Sequence, residues 1–229
     1  MNAPSSAIST SPAPRLWMIV FGAIAFIISA SLFLSRQLNQ SLPQPSLPIH
    51  SIITHDLAAI ERSGQTVHFS DLKGKVLTCA YIYTVCPHGC AAVIGQMQKL
   101  QQSFGTRDDF HQVSISVIPE RDTASFLASY AQGLGLTPAD PWWFLSGEEK
   151  PLHDFMTQEL RLEPAKTIPE DERVNPLDLA EHDLRIVLID RKGRVRGYYS
   201  VFHPQSEIAA LMCDQLFKDT QRLLNDPEA

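Results

Sequence analysis

One long apolar run stands near the N-terminus of the chain. Residues 16–35 read LWMIVFGAIAFIISASLFLS, without a charged side chain, and Arg15 and Arg36 bracket them. About twenty apolar residues can cross a bilayer as a helix, and no polar stripe marks a side that would face water. We therefore predict a transmembrane anchor over 15–36. A cleaved signal peptide, which has a shorter apolar region, is the alternative.

The two flanks of this run differ in character. Residues 1–14 are rich in Ser, Pro and Ala and carry no charged side chain, which predicts a disordered tail. Residues 37–50 contain three prolines and predict an extended tether. A short polar head before a large C-terminal part favours a single-pass anchor with its N-terminus inside. Because no Arg-rich presequence is present, we expect the domain in a bacterial periplasm, at the outer face of the cytoplasmic membrane.

Beyond residue 50 the hydrophobic pattern alternates between strand and helix periods. Residues 76–84 read VLTCAYIYT, an almost wholly apolar run that predicts a central strand covered on both faces. The other predicted elements are a strand pair over 55–72, a helix ending at Gly105, strands at 112–118, 142–145, 184–190 and 195–201, helices at 124–132, 152–160 and 207–224, and a loop over 162–180. This order indicates an α/β sandwich occupying residues 51–225.

The size, net charge and cysteine count of the chain exclude several kinds of protein. The 229 residues, 44% hydrophobic and 19% charged, fit one folded domain after the N-terminal segment. A net charge of −6 without a Lys/Arg cluster argues against a nucleic-acid partner. Four cysteines are too few for a disulfide scaffold at this length.

Two of the cysteines indicate chemistry through their spacing. Cys86 follows the buried strand, and we predict Pro87 at the first position of the next helix with Cys90 one turn into it. A spacing of four residues then places both sulfurs on one helix face, and the helix N-terminus favours a thiolate at Cys86. Gly89 would let the backbone approach a partner closely. Such a pair can close into a disulfide or bind a soft metal ion such as copper(I) or zinc.

Three segments in order resemble the Sco (SenC-type) family of copper-binding, thioredoxin-like proteins. Residues 83–90 read Tyr-Thr-Val-Cys-Pro-His-Gly-Cys, which resembles the family's Tyr-Thr-x-Cys-Pro-x-x-Cys signature. Residues 116–123 resemble its Val-Asp-Pro-Glu-Arg-Asp-Thr segment. Residues 181–183 and 188–193 resemble its Asp-His-(Ser/Thr) followed by Leu-Ile-Asp-x-x-Gly.

The resemblance implies a fold, a metal site and a role. The fold would be a thioredoxin-like sandwich, with a central mixed sheet, flanking helices and extra hairpins. Cys86, Cys90 and His182 would bind a copper ion. The chain would serve assembly of the copper centre of cytochrome c oxidase, and its partner would be the copper-site subunit of a respiratory oxidase or another copper protein.

The chain departs from the family pattern at four positions. Ile118 stands where the family has an Asp, which removes a carboxylate near the cysteine pair. Ala91 replaces a second Pro, Glu181 replaces the Asp before the histidine, and Val85 replaces a frequent His. These changes indicate a divergent member whose metal triad is intact.

Other functions remain open from the residues alone. The chain is not expected to be an enzyme; if it is one, it would be a thiol–disulfide oxidoreductase in which Cys86 attacks a client disulfide and Cys90 resolves the intermediate. A peroxiredoxin-like peroxidase would need Thr84 and an arginine beside the attacking sulfur. His88 is an alternative metal ligand. The remaining cysteines and the tryptophan pair are predicted to pack in the fold; they are Cys79, Cys213, Trp142 and Trp143.

Overall fold

A computed structural model describes residues 14–41 and 46–228, which fall into two separate units. The first contains helix α1 (Pro14–Ser41), of which Trp17–Ser35 is long and apolar enough to cross a membrane. Helix α1 continues into the predicted tether, so residues 37–41 are helical instead of extended. Pro14, the last residue of the predicted disordered tail, begins α1. Residues 1–13 of that tail and residues 42–45 of the predicted tether lie outside the described residues.

The second unit is built on an eight-stranded mixed sheet in the order β1-β10-β9-β4-β5-β6-β2-β3. The central strands β4, β5 and β6 are parallel, and β9 pairs antiparallel with β4 on its other side. A separate short ladder joins β7 and β8. The strands are β1 (Ser51–Ile52), β2 (Ala58–Glu61), β3 (Thr66–His68), β4 (Val76–Ile82), β5 (Phe110–Ser116), β6 (Trp142–Ser146), β7 (Lys166–Thr167), β8 (Ala180–Glu181), β9 (Arg185–Ile189) and β10 (Arg194–Ser200).

Four helices accompany the sheet. Helix α2 connects β4 to β5 and α3 connects β5 to β6, the crossovers that parallel strands require. Helix α4 continues into a π-helical turn over Phe155–Glu159, which together cover the predicted helix at 152–160. The helices are α2 (Cys90–Phe104), α3 (Ala124–Gly133), α4 (Glu149–Asp154) and α5 (Ser206–Asn225).

The sheet separates two hydrophobic clusters. Because successive side chains of a strand point to opposite faces, β4 sends Ala80 into one cluster and Cys79 and Tyr81 into the other. Helices α2, α3 and α5 cover the first face, and α4 with its continuation covers the second. All seven residues of β4 are buried, as the apolar run predicts for a central strand. The structure thus confirms the predicted mixed sheet flanked by helices.

Two local predictions need correction. Residues 162–180, predicted as a loop, contribute β7 and the beginning of β8, which pair as Lys166↔Glu181 and Thr167↔Ala180. Helix α2 begins at Cys90 with Gly89 as its N-cap, so neither Pro87 nor the first cysteine is helical. The backbone of Gly89 packs directly against Phe202, and this tertiary contact holds 84–89 as a loop in place of the predicted first helical turn.

Candidate metal centre

The site forms where β4 ends. Cys86 lies in the loop that follows this strand, and Cys90 opens α2. His182 comes directly after β8 and just before β9, the strand that pairs with β4. The antiparallel pairing of β9 with β4 therefore carries a histidine that is 92 residues away in sequence to the cysteine loop.

The ligand atoms of Cys86, Cys90 and His182 all lie within 4.8 Å of one another. The Sγ atom of Cys90 is 2.9 Å from Nε2 of His182. Cys90 is buried, whereas Cys86 and His182 are half-buried. The structure therefore brings together the three residues predicted to bind metal, with one sulfur and the imidazole at the surface.

A main-chain contact sets the orientation of the His182 ring. Its Nδ1 lies 2.9 Å from the carbonyl oxygen of Asp183. Because a carbonyl only accepts, Nδ1 donates this hydrogen bond, and Nε2 is the ring nitrogen that faces the sulfur of Cys90. Metal-ligating histidines commonly donate their second ring N–H to a carbonyl or carboxylate in this way.

The two thiols are electrostatically unequal. The hydrogen bond from Cys90 lowers the pKa of Cys86 to about 4, helped by contacts from His182 and the backbone N–H of His88 and against the opposing effect of burial. The same bond to Cys86, together with burial, raises the pKa of Cys90 above its ordinary value. Cys86 is therefore the thiolate of the pair, and Cys90 beneath it keeps its proton.

A buried carboxylate supports the cysteine loop from below. Asp122 is fully buried, and its two oxygens accept hydrogen bonds from Thr84 at 2.6 Å and Ser116 at 3.1 Å. Burial raises the pKa of Asp122. The Thr84 hydroxyl is thus committed to Asp122, which does not support the peroxidase hypothesis.

A second buried carboxylate ties the cysteine loop to the segment before His182. Oδ1 of Asp178, which is 1% exposed, lies 2.9 Å from Nε2 of His88. Nearby, the hydroxyl of Tyr83 donates to the carbonyl of Leu177. Sequence reasoning missed Asp178, since a single Asp in a polar, proline-rich stretch carries no recognisable signal.

Position 118, where the resembled family has an Asp, is an isoleucine in this chain and has an apolar environment. Ile118 is half-buried and packs against the hydrophobic cluster on the α4 face. The other cysteines lie outside the triad: Cys79 is buried within β4, where burial raises its pKa, and Cys213 is half-buried on α5. Trp142 is a core residue whose Nε1 donates to Ser114 at 3.0 Å.

A cleft of about 380 Å3 adjoins the site on the side of His182, with Leu184 and Phe202 in its lining and neither ligand cysteine. A larger cleft, about 1060 Å3, surrounds His111 and Trp143 near the start of β5. The larger volume lacks a group of metal-ligating side chains among the described residues. Of these two clefts, only the smaller one is lined by a residue of the triad, His182.

The donor set fits a soft metal ion. Two sulfurs and one imidazole nitrogen suit copper(I), which accepts thiolate ligands in low coordination numbers, and zinc less completely, since zinc usually takes four ligands. A half-buried thiolate also suits exchange of an ion with another protein, because a ligand from the partner can approach without unfolding the site.

Comparison with known proteins identifies related sequences and folds. The family description SCO1/SenC matches residues 49–216. No match was found among curated proteins. A SCO1/SenC family lipoprotein from Bacillus anthracis is similar in structure, with 22% identity, a TM-score of 0.64, and coverage of 79% of this chain and 100% of that one.

Two further structures share the fold. Copper-bound ScoI from Bradyrhizobium japonicum has 26% identity and a TM-score of 0.57, covering 75% of this chain and 99% of that one. BsSco, a member of the Sco family of cytochrome c oxidase assembly proteins in which a disulfide switch was identified, has 21% identity and a TM-score of 0.59, covering 79% and 99%. These likenesses confirm the thioredoxin-like fold of this family.

Proposed function

Because this chain belongs to the SCO1/SenC family, we propose that it is a membrane-anchored copper-binding protein that supplies copper to, or prepares the copper site of, a respiratory oxidase. The proposal rests on the site first and on the relatives second. It assigns Cys86, Cys90 and His182 as the copper ligands.

The observation that carries the proposal is the compact triad of two sulfurs and one imidazole within 4.8 Å. Cysteines and histidines are common, but three ligand atoms that converge from two distant segments are typical of a metal site. The orientation of His182, with Nδ1 tied to a carbonyl, leaves Nε2 for the ion. Copper is the cargo in this proposal, and the protein's residues bind it, shield one side of it and release it.

A related protein supports the choice of metal. ScoI from Bradyrhizobium japonicum, 26% identical, has a structure with copper bound. Copper(I) is softer than zinc and accepts the incomplete three-ligand set that the chain offers. The oxidase copper site as destination follows from BsSco, which belongs to a family of cytochrome c oxidase assembly proteins.

The N-terminal helix supports membrane attachment. Trp17–Ser35 has the length and composition of a membrane span, and the relative from Bacillus anthracis is a lipoprotein. We place the N-terminus inside and the copper-binding domain in the periplasm, at the outer face of the cytoplasmic membrane. A tethered domain would meet an oxidase subunit in the same membrane at a high effective concentration.

Copper stoichiometry tests this proposal. The full chain in detergent, fully reduced, is titrated with copper(I) against a chromophoric chelator, with His182→Ala as the variant and His55→Ala as the control. His55 is an exposed histidine paired with Glu159, outside the triad. We expect one copper per chain, with an affinity loss in His182→Ala beyond the roughly 10–100-fold that outer-shell substitutions cause. Absence of copper binding by the unaltered chain, or equal binding by His182→Ala, would overturn the assignment.

A thiol–disulfide oxidoreductase is the second candidate, favoured by the unequal thiols. Cys86 is a half-exposed thiolate whose pKa is lowered, and Cys90 is buried and protonated, the arrangement of an attacking and a resolving cysteine. The Cys90→Ser variant should trap a mixed disulfide through Cys86 when a small disulfide such as oxidised glutathione is added. A Cys90→Ser variant that remains a free thiol under these conditions would argue against the redox function.

A further inference from the structure

His88 occupies the loop between the two ligand cysteines, and a buried carboxylate fixes its ring. Nε2 of His88 is 2.9 Å from Oδ1 of Asp178. The other oxygen of Asp178 accepts from the backbone N–H of Val174 at 3.1 Å, and the carboxylate is 1% exposed. Asp178 is therefore itself held in place by two contacts, and it holds one side of the imidazole.

This contact decides which ring nitrogen of His88 is free. A carboxylate accepts hydrogen bonds and cannot donate them, so Nε2 carries the proton. Nδ1 is then the ring nitrogen left for a further contact, and no hydrogen bond from the described part of the chain reaches it. The side chain of His88 is 42% exposed. Nδ1 therefore belongs to a side chain that solvent reaches, in the loop that also carries Cys86.

The arrangement is the one that proteins use for metal-ligating histidines. Such residues donate one ring N–H to a carboxylate or carbonyl and coordinate through the other nitrogen. His182 shows it with Nδ1 on a carbonyl and Nε2 at the sulfur of Cys90. In His88 the two nitrogens have the opposite roles, with Nε2 on the carboxylate of Asp178 and Nδ1 left for a ligand. Its backbone N–H contacts the sulfur of Cys86 at 3.4 Å, so the residue lies next to a ligand.

The triad provides three ligands, and a second imidazole would provide a fourth. It supplies one nitrogen, whereas copper(II) prefers a tetragonal, four-coordinate set that includes nitrogen or oxygen ligands. We propose that His88 is a second imidazole ligand of this site, engaged through Nδ1 when the site holds copper(II), and that Asp178 is its positioning residue. This inference rests on the proposed copper-binding function.

The loop allows this engagement. His88 lies outside the compact triad, so its ring must approach the ion as the loop closes. Residues 84–89 belong to neither β4 nor α2, and only the carbonyl of Gly89 accepts from α2, at the N–H groups of Ala92 and Val93. A movement confined to 86–88 leaves these helix hydrogen bonds in place. Copper(I), which is satisfied by the triad, does not require the movement. The second histidine therefore distinguishes the two oxidation states of the ion.

The test counts nitrogen ligands by electron paramagnetic resonance. The reduced full chain in detergent receives one equivalent of copper(II) without oxygen and is frozen at once. We expect superhyperfine coupling to two nitrogens in the unaltered chain and to one in His88→Gln. Glutamine keeps an N–H that can donate to Asp178 but lacks the imidazole, which separates ligation from the structural tie. The matched control His55→Gln removes another histidine–carboxylate pair, His55–Glu159, and should retain both couplings.

Further readouts complete the test. Asp178→Asn should keep both nitrogens while weakening copper(II) binding by about tenfold, the low end of outer-shell effects. Copper(I) affinity should change less than about threefold in His88→Gln. Unchanged nitrogen coupling in His88→Gln, or a single nitrogen in the unaltered chain, overturns the inference. A chain that binds copper in neither state instead refutes the proposed function, so the two failures are distinguishable.

Discussion

Replacing Gly89 by alanine probes the contact that shapes the cysteine loop. Its φ of −96° is accessible to any residue, so backbone strain contributes nothing to the substitution. A Cβ atom built there would lie 2.6 Å from Cδ1 of Leu184 and 2.6 Å from Cδ1 and Cγ of Phe202. Real Cβ atoms do not approach other carbons so closely, and at least one of these side chains must move.

The loss of stability caused by Gly89→Ala depends on how easily the two neighbouring side chains can move. Overpacking a well-packed site costs typically about 1–3 kcal/mol. Phe202 is 47% exposed and can swing outward, whereas Leu184 packs against both hydrophobic clusters. We therefore expect the lower half of the range, about 1–2 kcal/mol, which corresponds to a Tm about 2–8 °C lower for a domain of this size.

The assay is thermal unfolding of the reduced, copper-free chain in detergent, followed by circular dichroism. Gly95→Ala is the control, because this glycine lies within α2, the helix that Gly89 precedes, and has open space around it. It should stabilise the chain by about 0.5–1 kcal/mol through higher helix propensity. In a Phe202→Ala background, Gly89→Ala should cost less than in the unaltered chain. Equal stability changes for the two glycine substitutions would refute the packing argument.

Two more predictions concern the thiols and the buried carboxylate. Because the pKa of Cys86 is lowered to about 4, its alkylation by iodoacetamide should be nearly independent of pH between about 5.5 and 7.5, whereas an ordinary thiol gains about tenfold per pH unit there. Mass spectrometry should find Cys90 unlabelled at these pH values, and a steep rise of Cys86 labelling would contradict a resident thiolate. Asp122→Ala should lower the free energy of unfolding by about 1–3 kcal/mol, since it leaves the buried hydroxyl of Ser116 without its acceptor. Asp171→Ala, at an exposed position, should change it by less than about 0.5 kcal/mol, and similar losses in both variants would contradict this account.

The sequence predicted the elements whose signals are local. The apolar run of β4 indicated a central strand, and the helix predicted to end at Gly105 corresponds to α2. The metal triad needed the family resemblance as well, because spacing alone does not connect His182 with two cysteines about ninety residues away. Its role as a copper ligand set stays a prediction.

What the sequence did not reveal depends on contacts between distant segments. The start of α2 shifts to Cys90 because Gly89 packs against Phe202, a residue of the loop after β10. Asp178 gives no local sign that it will bind His88. The β7–β8 ladder consists of two residues on each side, too short for a period to be recognised. In each case tertiary contact overrides or adds to a weak local preference.

The pairing of β9 with β4 also sets an order of events in the life of the chain. A ribosome completes both cysteines long before His182 exists, since 92 residues separate Cys90 from it. Until β9 has docked on β4, a nascent or partly folded molecule offers the two thiols without His182 held beside them. With the proposed ligand set, full-affinity loading would come after folding, and the bound ion would in turn stabilise the folded chain by mass action. Immature molecules would compete poorly for scarce copper, so the topology itself reserves the metal for finished protein.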